Sequence, residues 1–126
     1  MENATGAKPN TALLVSADLI FCTKITGTAR AMGLEVEVAG SVEGAASRIP
    51  AMRPRCVLLD LGLANLAPER IGELVQVAAG APVLAFGSHV DTARLQQARD
   101  AGCTEVMPRS RLAADLPQLL DQYLKV

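Results

Sequence analysis

Leu34-Glu35-Val36-Glu37-Val38 alternates apolar with acidic side chains, the pattern of a strand with one face in the core and one in water. Ala12-Leu13-Leu14-Val15, Cys56-Val57-Leu58-Leu59 and Val83-Leu84-Ala85-Phe86 are instead unbroken apolar runs, as strands covered on both faces must be. The first kind belongs at the edge of a sheet and the second inside it. With strands expected at residues 12–16, 34–38, 55–59, 83–86 and 105–107, the chain reads as five strands alternating with five helices. Strict alternation implies a parallel sheet with right-handed crossovers and helices on both faces.

Each intervening stretch carries helix signals. Residues 19–32 put Phe21, Ile25, Ala29 and Met32 on one face, and Gly33 follows where a helix end favours glycine. The second helix, 42–49, starts after Ser41 as N-cap and is expected to stop before Pro50, which lacks an N–H and crowds the preceding turn. The third, 69–79, aligns Ile71, Leu74, Val75 and Ala78; the fourth, 92–101, follows an Asp91 cap and turns Leu95, Ala98 and Ala101 inward. The last, 112–124, repeats Leu112, Leu116, Leu119, Leu120 and Tyr123, and Pro117 moves its expected start toward Leu116. The second strand and the short polar fifth take the edges. This yields an α/β fold, a flavodoxin-like three-layer (βα)5 sandwich with strand order 2-1-3-4-5; the order 3-2-1-4-5 would bury Glu35 and Glu37.

Length and composition narrow the function. The 126 residues suit one domain, expected over 11–126, with residues 1–10 as a loose tail. A 50% hydrophobic content excludes wholesale disorder. Twelve Lys and Arg against thirteen Asp and Glu leave a net charge of −1, too balanced for affinity through counterion release, so no nucleic-acid partner is expected. Phe21, Phe86 and Tyr123 are the only aromatics, too few to stack bases. The odd cysteine count, Cys22, Cys56 and Cys103 with no CxxC pair, fits reduced thiols in a cytoplasmic protein. No apolar stretch reads as a signal peptide or a membrane span, so no membrane partner is expected.

Ligands of an open α/β sheet bind outside the carboxyl ends of its strands, where the strand order reverses. Those ends carry Ser16-Ala17-Asp18, Leu59-Asp60-Leu61-Gly62, Gly87-Ser88-His89 and Pro108-Arg109-Ser110. Two segments make the chain resemble the receiver domain of two-component response regulators over nearly its whole length. Cys56-Val57-Leu58-Leu59-Asp60-Leu61-Gly62-Leu63 is similar to the segment that bears that family's phosphoacceptor aspartate, and Asp60 matches it by position. Pro82-Val83-Leu84-Ala85-Phe86, followed by Ala101-Gly102-Cys103, is similar to the family's fourth strand and its connection into the fifth.

The resemblance also exposes departures. Receivers hold Mg²⁺ with a pair of acids ending the first strand, together with the acceptor aspartate. Here Ser16 and Ala17 occupy the paired-acid positions and only Asp18 follows, so Asp18 and Asp60 are doubtful metal ligands, and the simpler reading of Asp18 is an N-cap. The family's phosphate-binding Thr or Ser corresponds to Gly87, with a hydroxyl displaced to Ser88, and its lysine corresponds to Arg109. Val106 stands in place of the switching aromatic. Asp60 thus has two readings, a surviving acceptor or a strand-end carboxylate held by backbone N–H groups and paired with Arg109. His89, the sole histidine, reads as a solvated or capping loop residue.

Neither GxGxxG after the first strand, GxxxxGK[ST], GxSxG nor a His/Cys cluster at metal spacing occurs, so the chain is expected not to be an enzyme. The reading reached from the sequence is an atypical, stand-alone receiver-like signalling module with a degenerate phosphorylation pocket and no cofactor, acting by binding a protein partner. By family analogy its partner or homodimer face is built from the fourth helix, fifth strand and fifth helix, with Gln96, Gln97, Val106, Arg111 and Gln118 on it. One alternative is a working receiver phosphorylated on Asp60 by a histidine kinase with Mg²⁺, using Gly87, Ser88 and Arg109 as the phosphate pocket. The second is a small-molecule sensor using the same crevice.

Overall fold

The sheet has the order β2-β1-β3-β4-β5 in a computed structural model that describes residues 11–125. Along the chain the elements are β1 (Thr11–Val15), α1 (Leu19–Ala31), β2 (Glu35–Ala39), α2 (Val42–Met52), β3 (Cys56–Asp60), α3 (Pro68–Val77), β4 (Val83–Gly87), α4 (Thr92–Asp100), β5 (Glu105–Pro108), α5 (Arg109–Ala114) and α6 (Leu116–Leu124). All four strand pairings are parallel. The flavodoxin-like fold expected from the alternation of strand types is therefore the fold observed. The expected tail at residues 1–10 lies outside the described residues.

Period two divides the sheet into two cores. Ala12, Leu14, Cys56, Leu58, Leu84 and Phe86 face one side, where Phe21, Ile25 and Ala29 of α1 meet Leu112 of α5 and Leu116, Leu119 and Leu120 of α6. Leu13, Val15, Val57, Leu59, Val83 and Ala85 face the other, against Ala45 and Ile49 of α2, Ile71 and Leu74 of α3, and Leu95 and Ala98 of α4. Both edge assignments hold. In β2, Glu35 and Val38 are exposed while Val36 and Ala39 are buried, and Glu37 is half-buried against Arg48 at 2.6 Å.

Several boundaries differ from the sequence expectation. β2 runs one residue later, because its register pairs Glu35 with Thr11 and Ala39 with Val15. Pro50 does not end α2: it lies inside the helix, whose chain continues to Met52 before Arg53 turns left-handed at φ 52°. Proline's own φ is helical, and the helix forgoes only the one bond that an N–H at position 50 would have given to the Ala46 carbonyl. The expected single C-terminal helix is two, α5 and α6, since Pro117 sits in the first turn of α6 after the break at Asp115. Asp18, Ser41 and Asp91 cap α1, α2 and α4 as expected, each accepting an N–H three residues on. Gly33, at φ 76°, supplies the left-handed residue that ends α1.

The three cysteines are unpaired, Cys22 and Cys56 buried and Cys103 half-buried. Burial pushes the Cys56 thiol up from 9.0 to about 12, since a thiolate there would be stripped of water. Below pH 9 both the folded and unfolded states keep this proton, and the stabilisation is fully present. Between pH 9 and 12 the unfolded thiol ionises while the folded one does not, so stability falls as pH rises through that window. Thermal melts across the alkaline range are expected to show a declining melting temperature, with a shallower decline in Cys56→Ala.

Candidate functional site

Asp60 ends β3, and the strand's period of two points it the way Cys56 and Leu58 point, toward α1 and α5. It is only 3% exposed. An ionised carboxylate so buried needs donors on its oxygens, and three supply them. The Ser16 hydroxyl donates to Oδ2 at 2.7 Å, while the Gly62 backbone N–H at 2.8 Å and Arg109 Nη2 at 2.7 Å both donate to Oδ1. Ser16 is itself oriented by the Asp18 backbone N–H, which donates to its Oγ at 3.1 Å.

The arginine is held as firmly as the carboxylate. Arg109 is the first residue of α5, directly after β5, and its guanidinium carbon lies 5.6 Å from the Phe21 ring centroid and 5.8 Å from that of Phe86. The two rings are 5.3 Å apart and tilted by 47°. A planar, weakly hydrated cation suits this setting, with aromatic faces on its flank and a carboxylate at its tip, better than a lysine ammonium would. Its Nε is buried without a hydrogen-bond partner. Gly62 leaves room for the pair: a Cβ there would stand 3.1 Å from both Arg109 Nη2 and Asp60 Oδ1.

The neighbouring strand ends contribute less to this cluster. Gly87 is buried under Leu61, whose Cβ would lie 3.1 Å from a Cβ at position 87, so a hydroxyl-bearing side chain would displace Leu61. Ser88 is exposed, and its Oγ accepts from the Val90 N–H at 3.4 Å. The Asp18 carboxylate accepts from the Phe21 N–H at 3.0 Å as the cap of α1. Among the described residues no group of three or more His, Cys, Asp or Glu is placed to share a metal ion.

The structure thus joins Asp60 and Arg109, two of the residues singled out in the sequence, and leaves Asp18 and Ser88 on separate partners. Three participants were not foreseen: Ser16 as a donor, the Phe21 and Phe86 pair as a seat for the cation, and Leu61 as the side chain over Gly87. Phe86 had a readable signal, since two-residue periodicity puts it on the same face as Asp60, and the register pairs the two directly. The other two depend on how loops fold back and carry no local signature.

Of the residues assigned to a partner face, Gln96, Arg111 and Gln118 are exposed, with Gln96 donating to Asp100 at 2.9 Å and Arg111 within 3.5 Å of Asp115. Gln97 turns toward the start of α3, sharing a surface depression with Pro68 and Glu69. Val106 packs against the core beneath α2, α3 and α4. A crevice of about 290 Å³ lies at the ends of β1, β2 and β3, lined by Ala17, Ser41, Glu43, Asn65 and Arg70. Arg70 there is bound to Glu43 and, at 3.1 Å, to Glu73. No helix among the described residues is long and apolar enough to cross a membrane.

No protein-family model and no curated protein matches the chain. Among solved structures it is similar to a putative response regulator from Chloroflexus aurantiacus J-10-fl, with 21% identity, a TM-score of 0.79, and 94% of this chain and 100% of that one covered. It is also similar to the receiver domain of a sensor histidine kinase from Pseudomonas aeruginosa PAO1, a structure with a magnesium ion coordinated in the active-site cleft, at 18% identity and a TM-score of 0.78, covering 94% and 100%. The phosphorylated cyanobacterial phytochrome response regulator RcpA is a third, at 16% identity and a TM-score of 0.79, covering 94% and 96%. The likeness is one of fold: this chain has the receiver-domain fold.

Removing the guanidinium would leave the Asp60 carboxylate with the Ser16 and Gly62 donors alone. Because the arginine side chain is 35% exposed, Arg109→Ala is expected to lower stability by about 2 kcal/mol, below the scale for breaking a fully buried ion pair. Because the cost lies largely in the orphaned carboxylate, adding Asp60→Asn is expected to recover part of it. A double-mutant cycle by urea denaturation, with a coupling energy of about 1 kcal/mol or more, would register the interaction.

Proposed function

We propose that this chain is a receiver-like signalling module that regulates by binding a protein partner, and that its Asp60 is a structural carboxylate instead of a phosphoacceptor. The observation that carries this is the engagement of both Asp60 oxygens by Ser16, Gly62 and Arg109 at 2.7–2.8 Å. A carboxylate that attacks phosphorus needs an accessible lone pair, and charge on the transferring group must be neutralised by cations around it. Here three of the carboxylate's roughly four lone-pair sites are taken by protein donors, both of those on Oδ1 among them. The nearest cation, Arg109, already donates to the carboxylate itself, and Gly87 offers no hydroxyl to a phosphoryl oxygen.

The donor set at this end does not fit a magnesium ion. Mg²⁺ asks for oxygen ligands in near-octahedral geometry, at least one or two of them carboxylate. Ser16 and Ala17 stand where paired acids would be needed, the Asp18 carboxylate is turned onto a helix N–H, and Asp60 Oδ1 faces a guanidinium that would repel the ion. No phosphoryl-transfer step is therefore drawn through a metal, and the module is read as a binder and not as an enzyme, working in the cytoplasm with no nucleic-acid or membrane partner. Its partner would dock on the face that carries Gln96, Arg111 and Gln118, either another signalling protein or a second copy of the chain.

A second reading has one observation in its favour: Arg109 does place positive charge beside the matching aspartate, where a working receiver phosphorylated by a histidine kinase would need it. Acetyl phosphate with Mg²⁺, followed by intact-mass measurement, separates the two. No phosphate increment is expected on the native chain; an increment that vanishes in Asp60→Asn would establish the working receiver instead. The third reading is a small-molecule sensor, and a clear rise in melting temperature with a nucleotide or flavin in a thermal-shift screen would favour it.

A further inference from the structure

At the opposite end of the sheet from Asp60, a groove of about 560 Å³ opens beside the starts of β3 and β4. One wall is the end of α2, with Ile49, Pro50 and Pro54; the other is the end of α3, with Val77, Ala79 and Ala81. Arg53 is the one charged residue among the described residues that line it. We propose that this groove docks an extended peptide segment of a partner protein, one that carries an acidic side chain between small apolar residues.

Three features argue for that occupant. The Arg53 side chain is exposed and makes no hydrogen bond or ion pair with another described residue, and no acid lines the groove to neutralise it. An anionic group seated beside it would complete a charge-assisted pair, for which a guanidinium fork and a carboxylate match in shape. Secondly, α2 and α3 both end at the groove; the Ile49, Leu74 and Gln76 carbonyls already accept following N–H groups, but the final carbonyls of the two helices, those of Met52 and Val77, accept no backbone N–H among the described residues. An extended peptide brings backbone N–H groups to such acceptors, whereas an aliphatic acid of similar volume brings none. Thirdly, apart from Arg53 the walls are apolar, with Ala78, Ala79, Ala81, Pro50 and Pro54 leaving space for a backbone and short apolar side chains beside Ile49 and Val77.

The backbone here is also strained. Arg53 at φ 52° and Ala79 at φ 53° are two of the three non-glycine residues with left-handed backbone among the described residues, and both line the groove, one after each helix end. Glycine would adopt either conformation more easily. Local strain of this kind concentrates where a side chain must be held for a ligand, and at position 53 it presents the guanidinium.

The test uses the full chain, isotopically labelled, and three pools of heptapeptides built from Ala, Val and Pro with Glu, Gln or Lys at the centre. Amide chemical shifts are followed during titration. The Glu pool is expected to shift the amides of Arg53, Val77 and Ala79 and to bind about tenfold more tightly than the Gln pool, the scale of one charge-assisted hydrogen bond. Arg53→Gly removes the guanidinium and relieves the backbone, so it should abolish the preference for Glu while the melting temperature holds or rises. Equal binding of all three pools, shifts confined to the Asp60 end, or no shifts at all would overturn the proposal. So would a dimer of the free chain in sedimentation velocity that Arg53→Gly dissociates, since the occupant would then be a second copy. None of these results bears on whether Asp60 accepts phosphate.

Discussion

A carboxylate that is 3% exposed at the end of a central strand cannot stand alone, and most of the upper end of this molecule is arranged around that requirement. Asp60 takes one hydrogen bond from the loop after β1, one from its own loop and one from the start of α5. Three segments distant in sequence are thereby tied to one group. The compensating cation is in turn confined by Phe21 from α1 and Phe86 from β4, so aromatic side chains from two further elements complete the same cluster. The glycines nearby follow from this packing, with Gly62 admitting the guanidinium and Gly87 admitting Leu61.

The same cluster shapes what the site can do. In this chain the aspartate at the end of the third strand and the cationic residue after the fifth are bonded to one another. A lysine on a flexible stem can swing between a carboxylate and an incoming phosphoryl oxygen. Arg109, flanked by two rings, holds the carboxylate through one nitrogen, Nη2, donating to Oδ1 at 2.7 Å. At the lower end, the groove between the ends of α2 and α3 carries the exposed Arg53 guanidinium with no acid among its lining residues.

Legibility in the sequence followed the range of the interaction concerned. Helix caps were readable because Asp18, Ser41 and Asp91 act on N–H groups three residues away. Strand order was readable because burial on one or two faces writes a periodicity into five residues, as in Leu34 to Val38 against Ala12 to Val15. Pro50 misled because its cost depends on where in a helix it falls, and the helix end was set by Arg53 turning left-handed, which no residue-type preference at arginine announces. The break at Asp115 was half visible, since Pro117 signalled a helix start while nothing marked Arg109 as the beginning of another turn of helix. Gln97 and Val106 were grouped on one face by analogy, yet helix rotation and strand parity turned them toward α3 and the core beneath it.

By itself the sequence determined the α/β class, the strand order, the two aliphatic cores and the position of Asp60 at a strand end. These rest on periodicity and on local hydrogen bonding, both of which act within a few residues. Only the tertiary structure decided that Ser16 donates to Asp60, that Arg109 lies against Phe21 and Phe86, that Leu61 covers Gly87, and that Arg53 lines a groove between two helix ends. Those contacts join residues as distant in the chain as Phe21 and Arg109, and their geometry depends on how loops and helix ends pack, which no short stretch of residues encodes.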